Sequence, residues 1–221
     1  MTSTAPTEPL PLPAGALRVI RQRTITAPAA AYVEATTAHC PYLAPSIRHG
    51  LTHWTVYGMR PLAEHADVEA DIFAAAVAAA ERVRIEAKGP RRHLVCENIV
   101  IAGAARAHVD WPHWALKHLY GPVGVMVGKF WAGEEDTGLD GRTLPVPPIT
   151  FLSLRPAVRP RDPRFLDTTP ALAETIRTAD DDGRDVFTGL SPTWKEVRAW
   201  ASSLPSPARP VHLPRPPSDS R

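Results

Sequence analysis

Proline is the feature that most restricts how this chain can fold. The 221 residues include 25 prolines, most of them within residues 6–13, 145–170 and 205–217. Because proline lacks a backbone N–H and fixes φ, the two terminal clusters are unsuited to a helix interior or a central strand. We therefore predict a Pro-rich tail over residues 1–30, one folded domain over residues 31–204, and a disordered Pro-rich tail over residues 205–221.

Between the tails, the hydrophobic pattern switches between strand and helix periods. Four segments are rich in strand-forming residues: 51–59, 93–103, 123–131 and 149–155. Four others are predicted as helices, the first of them capped by Asp67: 68–88, 111–120, 169–179 and 193–204. This order predicts an α+β fold, in which helices pack on one face of a mainly antiparallel sheet of about four strands.

Charge and hydropathy argue against two classes of partner. The formal charge is only +2, whereas binding to nucleic acid or to an anionic membrane needs a sustained basic face. The longest apolar run, residues 73–80, is much shorter than the ~18 residues of a membrane-spanning helix. The N-terminus also lacks the basic and apolar regions of a signal peptide. We expect a cytoplasmic protein that binds neither nucleic acid nor membrane.

The chain has two cysteines and no CxxC pair, so a disulfide framework or a zinc knuckle is not expected. Cys96 lies inside an apolar strand and is interpreted as a core residue. Cys40 precedes Pro41 at the entry to the first predicted strand, where its thiolate could face a metal ion or an electrophile. The alternative for Cys40 is a small buried hydrophobic side chain.

Histidines are concentrated around the second predicted helix, within residues 108–118. His113 and His118 are five residues apart, about 140° around a helix, so they do not form the i,i+4 pair of a zinc site. A single histidine can still ligate a haem iron, and Trp114 shares a helix face with His118. The alternative for each histidine is a buried side chain that only satisfies its own hydrogen bonds.

Four arginines lie close together after the fourth predicted strand: Arg155, Arg159, Arg161 and Arg164. A guanidinium binds a carboxylate in a planar, bidentate manner, so this cluster could hold a substrate carboxylate or a haem propionate. The alternative is a solvated strand end whose arginines pair with Asp162 and Asp167. No dinucleotide-binding, Walker, nucleophile-elbow or zinc-protease motif occurs, which disfavours nucleotide-dependent transfer and standard hydrolase chemistry.

Several segments together resemble the YqcI/YcgG family. The family's Cys-Pro-aromatic entry and following strand resemble CPYLAPSIRHGLTHWTVYG. Its later strand and Arg-containing ending resemble GVMVGKFW and LSLRPAVRPRDPRFL. A related family of uncharacterised actinobacterial proteins has a similar later strand. Members of the YqcI/YcgG family include haem-dependent oxygenases that hydroxylate a guanidine nitrogen of arginine in antibiotic biosynthesis.

This resemblance implies a haem-dependent monooxygenase of the N-hydroxylase type. Its cofactor would be haem b, and its substrate a small amino-acid-like molecule oxidised at nitrogen in antibiotic biosynthesis. Cys40 and Arg155 match family positions, so both are assigned to the catalytic group, with Arg155 holding a carboxylate. The resemblance leaves the electron donor open.

The resemblance does not assign the iron ligand to a particular residue of this chain. Trp131 stands where the relatives carry a histidine after the strand, so either His113 or His118 has taken its place or the chain binds no haem. We predict His118 as the metal ligand, since His113 lies near the positive end of its helix and would donate electrons to iron less well. His113, Trp114 and Trp131 are predicted as further haem contacts.

Two other functions are also compatible with the sequence. The chain could be a non-catalytic α+β binding module of a biosynthetic assembly, forming a homodimer through its sheet and docking other proteins with its tails. It could also be an enzyme without a cofactor that uses Cys40. A visible absorption spectrum separates these functions from a haem protein.

Overall fold

The computed structural model describes residues 12–22, 27–138 and 141–205. The outer parts of both predicted tails, residues 1–11 and 206–221, lie outside the described residues. Five strands are described: β1 (Leu17–Gln22), β2 (Thr52–Met59), β3 (Cys96–Ala102), β4 (Val125–Phe130) and β5 (Phe151–Pro156). Six α-helices are described with them: α1 (Ala27–Thr36), α2 (Leu43–Arg48), α3 (His65–Glu86), α4 (Arg106–Tyr120), α5 (Pro170–Thr178) and α6 (Trp194–Ser203).

The strands form one mixed sheet in the order β1-β2-β3-β5-β4. β2 and β3 are parallel and are joined through α3, while the other three pairs are antiparallel. The predicted α+β fold with a mostly antiparallel sheet is therefore confirmed. No helix in the described part of the chain is both long and apolar enough to cross a membrane.

The N-terminal tail predicted over residues 1–30 is wrong for β1 and for the start of α1. β1 pairs antiparallel with β2, and Leu17 lies opposite Met59. As an edge strand, β1 has only one neighbouring strand, and its outward Ile20 stays 50% exposed. The short, partly charged segment after a proline cluster therefore lacks the strong apolar pattern that revealed the other strands.

Asp71 of α3 fixes the entry of β1 into the sheet. The side chain is fully buried, and its two oxygens accept hydrogen bonds from the backbone N–H groups of Ala14 and Leu17, both at 2.8 Å. Burying a carboxylate is tolerated here because both oxygens receive donors, and the two donors are satisfied in turn.

Helices α3, α4 and α6 pack on one side of the sheet, which we call the first face. The inward side of α3 is rich in alanine, so the helix backbone can approach the strands closely. Its buried apolar residues are Val68, Ile72, Phe73, Ala75, Ala76, Ala79, Ala80 and Val83. The helix begins at His65, before the predicted Asp67 cap, and Asp67 instead lies in the first turn near the positive helix end.

The opposite side, which we call the second face, has a smaller core. It contains Trp54 and Val56 of β2, Val100 of β3 and Phe151 of β5, covered by Val33 of α1. Because strand side chains alternate between faces, the neighbours of Val100 along β3 pack on the first face instead. α1 was absent from the predicted set of helices and adds cover on the side opposite α3.

We expect Asp71→Ala to lower the free energy of unfolding by about 2–4 kcal/mol, because the buried N–H of Leu17 and the part-buried N–H of Ala14 lose their acceptor. Asp67→Ala is the matched control on the same helix, since Asp67 is exposed, and should change stability by less than about 1 kcal/mol. Urea denaturation followed by circular dichroism measures both values. Similar losses in the two variants would show that Asp71 does not anchor β1.

Candidate functional site

Polar side chains gather on the second face, at the end of the sheet where β3 begins and β5 ends. Cys96 and Asn98 project from β3, and Ser153 and Arg155 from β5, with Asn98 directly opposite Ser153. Cys40, in the loop after α1, is close enough to interact electrostatically with Cys96 and Arg155. We call these five residues the sheet-face site. The two residues predicted as catalytic, Cys40 and Arg155, therefore lie within electrostatic range of each other.

Cys96 is held in a small polar network. Its Sγ lies 3.4 Å from Ser153 Oγ and 3.5 Å from Asn98 Nδ2, which also donates to the backbone oxygen of His53 at 3.1 Å. Burial raises the pKa of the Cys96 thiol, although hydrogen bonds from this network oppose the shift. Cys96 is therefore a neutral thiol at neutral pH, and it lies half-buried in a polar network rather than in the apolar core predicted from the sequence.

Arg155 pairs end-on with Asp162. The sequence analysis named Asp162 as a partner only in its alternative interpretation, in which the arginines form a solvated strand end. Its Nη1 and Nη2 donate to the two Asp162 oxygens at 2.8 Å each, and Nη1 also donates to the Pro156 oxygen at 3.1 Å. Burial opposes the charge on Arg155, but the hydrogen bonds and charge of Asp162 outweigh it and raise the pKa of the guanidinium. Asp162 is 2% exposed, so it fixes the arginine from inside the protein.

One edge of the Arg155 guanidinium remains open. The end-on pairing uses Nη1 and Nη2, and no acceptor within the described ranges contacts Nε–H. The side chain is 27% exposed, so this lateral edge can be reached from solvent. A guanidinium held in this way can bind a second carboxylate through Nε–H and the remaining Nη2 hydrogen.

An aromatic cluster lies next to the sheet-face site on the same side of the sheet. Phe130 stacks on Phe151 at 4.6 Å between ring centroids, and Trp54 tilts against Phe151 at 5.7 Å. Gly128 lies opposite Ser153 and has no side chain, so it leaves a shallow depression between the aromatic cluster and the polar network. A Cβ at Gly128 would meet the Phe130 ring at 3.2 Å. Polar groups and an aromatic wall therefore border one another.

His113 is a buried side chain that satisfies its own hydrogen bond, which was the alternative to a role in haem binding. It is buried, and its Nε2 donates to the backbone oxygen of Val127 in β4 at 3.1 Å. Burial, together with the positive charges of Lys117 and Lys129, lowers the pKa of His113 well below its usual value. His113 therefore stays neutral and ties α4 to the sheet.

His118 lies on the side of α4 that faces α6 and packs against two tryptophans. Its ring contacts Trp114 edge-on at 4.5 Å and faces Trp200 at 6.4 Å. Burial and the neighbouring Lys117 lower the pKa of His118, and its Nε2 is buried with no hydrogen-bond partner among the described residues. An unpartnered, neutral imidazole nitrogen is the feature of His118 that suits a metal ligand.

Trp131 is distant from His118. The guanidinium of Arg106, the first residue of α4, lies over the Trp131 ring at 4.5 Å. Arg106 and His118 are separated by twelve residues of one helix, which is about 18 Å along its axis. The predicted haem contacts therefore do not line one common cavity: Trp114 and His118 lie together, His113 faces the sheet, and Trp131 lies at the other end of α4.

A cavity of about 620 Å³ opens at the same end of the sheet as the sheet-face site. It is lined by the end of α3, the start of β4 and the segments around residues 156–160 and 179–181. Its walls include His93, Lys88 and Arg159. None of the residues predicted as catalytic or haem-binding lines it. Of the residues that line this cavity, the sequence analysis had named only Arg159. The walls come from separate loops, so their residues form no periodic pattern in the sequence.

Residues 32–182 match the family model described as a domain of unknown function, DUF6875. The chain belongs to this family. The match covers about two thirds of the chain and includes every residue of the sheet-face site, whereas β1 and α6 lie outside it. The search of the curated proteins and the search of the solved structures returned no match. Resemblance to the YqcI/YcgG family stays a prediction.

We expect His113 to make the folded state sensitive to acid. In the unfolded chain a histidine binds a proton near pH 6.5, but folded His113 stays neutral, so protons favour unfolding below that pH. Stability should then fall by up to about 1.4 kcal/mol for each pH unit below 6.5. His113→Gln keeps a donor for Val127 but cannot titrate, so its loss of stability between pH 6.5 and 5 should be smaller.

Urea denaturation at several pH values measures this difference. His49→Gln is the matched control, because it makes the same substitution at an exposed histidine. An unchanged pH dependence in His113→Gln would mean that folded His113 takes up a proton in this range.

Proposed function

We propose that this chain is an enzyme that binds a small, carboxylate-bearing, amino-acid-like molecule at the sheet-face site. Arg155 would bind the carboxylate through its open lateral edge, and Cys40 would face the remainder of the molecule. The observation that carries this proposal is the partly exposed Arg155, which Asp162 holds in place without using Nε–H.

Asp162 makes Arg155 a suitable anchor because it removes the cost of ordering a flexible side chain at binding. The backbone N–H of Val158 also donates to Asp162, at 2.7 Å, so the carboxylate itself cannot rotate freely. A substrate carboxylate would meet a guanidinium that is already oriented and partly desolvated, and both features strengthen a charge-assisted hydrogen bond. The neighbouring aromatic cluster would cover the apolar part of such a molecule.

The two cysteines would have different roles in this site. Cys96 is held as a neutral thiol in its network with Asn98 and Ser153, which would offer hydrogen bonds to polar groups of the substrate. Cys40 is half-buried at the end of a loop and has no such network among the described residues. Cys40 would therefore be the thiol that acts as nucleophile in an enzyme without a cofactor.

Haem-dependent oxygenation of a substrate nitrogen is the second candidate function. The unpartnered Nε2 of His118 favours it, because a neutral imidazole nitrogen is the usual protein ligand of haem iron. The other predicted contacts do not fit one haem group, since His113 is engaged by Val127 and Trp131 lies at the far end of α4. We therefore assign no step of a reaction to haem.

The carboxylate anchor is tested with L-arginine and L-argininamide, which differ only in the carboxylate. At ten times the dissociation constant, L-arginine should stabilise the wild type by about 1.4 kcal/mol, and so raise the melting temperature by about 4 °C. Argininamide should not. Arg155→Lys keeps the charge but lacks the lateral edge, so the shift should disappear.

Arg164→Lys is the matched control, because Arg164 is exposed on the same segment and should keep the full shift. Each shift is measured against the unliganded melting temperature of the same variant, which separates binding from stability. Equal stabilisation by the amide, or a full shift in Arg155→Lys, would contradict the proposed anchor.

The haem candidate is tested by titrating haemin into the purified protein and following the Soret band. If the second candidate is correct, His118→Ala should abolish haem retention and His113→Ala should keep most of it, because His113 Nε2 already has an acceptor. Equal, full retention in both variants would remove α4 from any haem site. Absence of a Soret band in the wild type would exclude the haem candidate, and activity that depends on a thiol would then favour the enzyme without a cofactor over a non-catalytic binding module.

A further inference from the structure

Three side chains with metal-binding atoms meet at the end of the sheet where β2 and β3 begin. His53, Glu86 and Glu97 each place a ligand atom within 4.8 Å of the other two. They come from β2, the last residue of α3 and β3, and the parallel register sets His53 directly beside Glu97. The cluster is on the first face, so it is separate from the sheet-face site.

The hydrogen bonds of His53 determine which of its ring nitrogens carries the hydrogen. Nε2 lies 3.1 Å from the backbone oxygen of Gly50, which can only accept, so Nε2 carries the hydrogen. Nδ1 then presents its lone pair to Glu97 Oε1 at 2.9 Å, and this oxygen of an ionised carboxylate is also an acceptor. Two acceptors at this distance need a cation between them, either a proton or a metal ion.

The carboxylates supply negative charge in a poorly solvated place. Glu97 is only 3% exposed, so its carboxylate is largely removed from water. Arg82 donates to Oε2 of Glu97 at 3.2 Å and leaves Oε1 to His53. With a neutral imidazole, the two glutamates and Arg82 carry a net charge of −1, which favours binding of a further cation.

We propose that His53, Glu86 and Glu97 bind a divalent transition-metal ion, with zinc as the probe. The donor set contains one imidazole nitrogen and two carboxylates, which suits Zn²⁺, Mn²⁺ or Fe²⁺ better than Ca²⁺ or Mg²⁺, whose ligands are oxygen atoms. The Gly50 carbonyl orients the imidazole, as backbone carbonyls do behind many metal-bound histidines. Three protein ligands leave a coordination position open to water or to another ligand.

Isothermal titration of the wild type with Zn²⁺ at pH 7.5 should show one site per chain. His53→Gln and Glu86→Gln should each weaken binding at least tenfold, because each removes one ligand. His49→Gln and Glu64→Gln change exposed residues of the same types outside the cluster and should bind as the wild type does.

Two further measurements distinguish metal binding at this cluster from a folding defect and from a thiolate site. Thermal melting of each variant without metal shows whether the variant folds. Glu86 lies at a half-buried helix end, so Glu86→Gln can still test metal binding if His53→Gln does not fold. Co²⁺ loading should give a spectrum without a thiolate charge-transfer band, since a band would place the metal at Cys40 or Cys96. No stoichiometric binding, or full affinity in Glu86→Gln, would overturn the proposal and leave a proton between His53 and Glu97.

Discussion

The parallel pairing of β2 and β3 is the constraint on which the rest of the structure depends. Parallel neighbours cannot be joined by a tight turn, so the chain must cross over the sheet, and α3 makes this crossing on the first face. Both strands then begin at the same end of the sheet. This arrangement sets His53 beside Glu97 on one face and places Cys96 on the other.

Charged groups buried near this end of the sheet are paired, which keeps their positions fixed. Asp162 holds Arg155 from inside, and His53 and Arg82 hold Glu97. A buried charge without a partner is costly, so each pair restricts the rotamers of both side chains. The two proposed sites therefore do not depend on flexible surface residues. Each presents atoms that other parts of the fold already orient.

The predicted site residues differ in how well the sequence placed them. Cys40 and Arg155 lie within electrostatic range although they are distant in the chain, because Cys40 follows α1 whereas Arg155 belongs to β5. The histidines and tryptophans of α4 were grouped because they are close in sequence. Around a helix, however, such neighbours point in different directions, so His113 faces Val127 while His118 faces α6.

The sequence by itself determined the fold class, the strands β2 to β5 and the helices α3 to α6, because their apolar residues repeat with a strand or helix period. It missed β1, whose place depends on Asp71 and on the free edge of β2. Only the tertiary structure decided that Arg155 pairs with Asp162 and that Glu86 reaches His53 and Glu97. Such contacts depend on strand register and on where a crossover helix ends, and neither leaves a periodic pattern in the sequence.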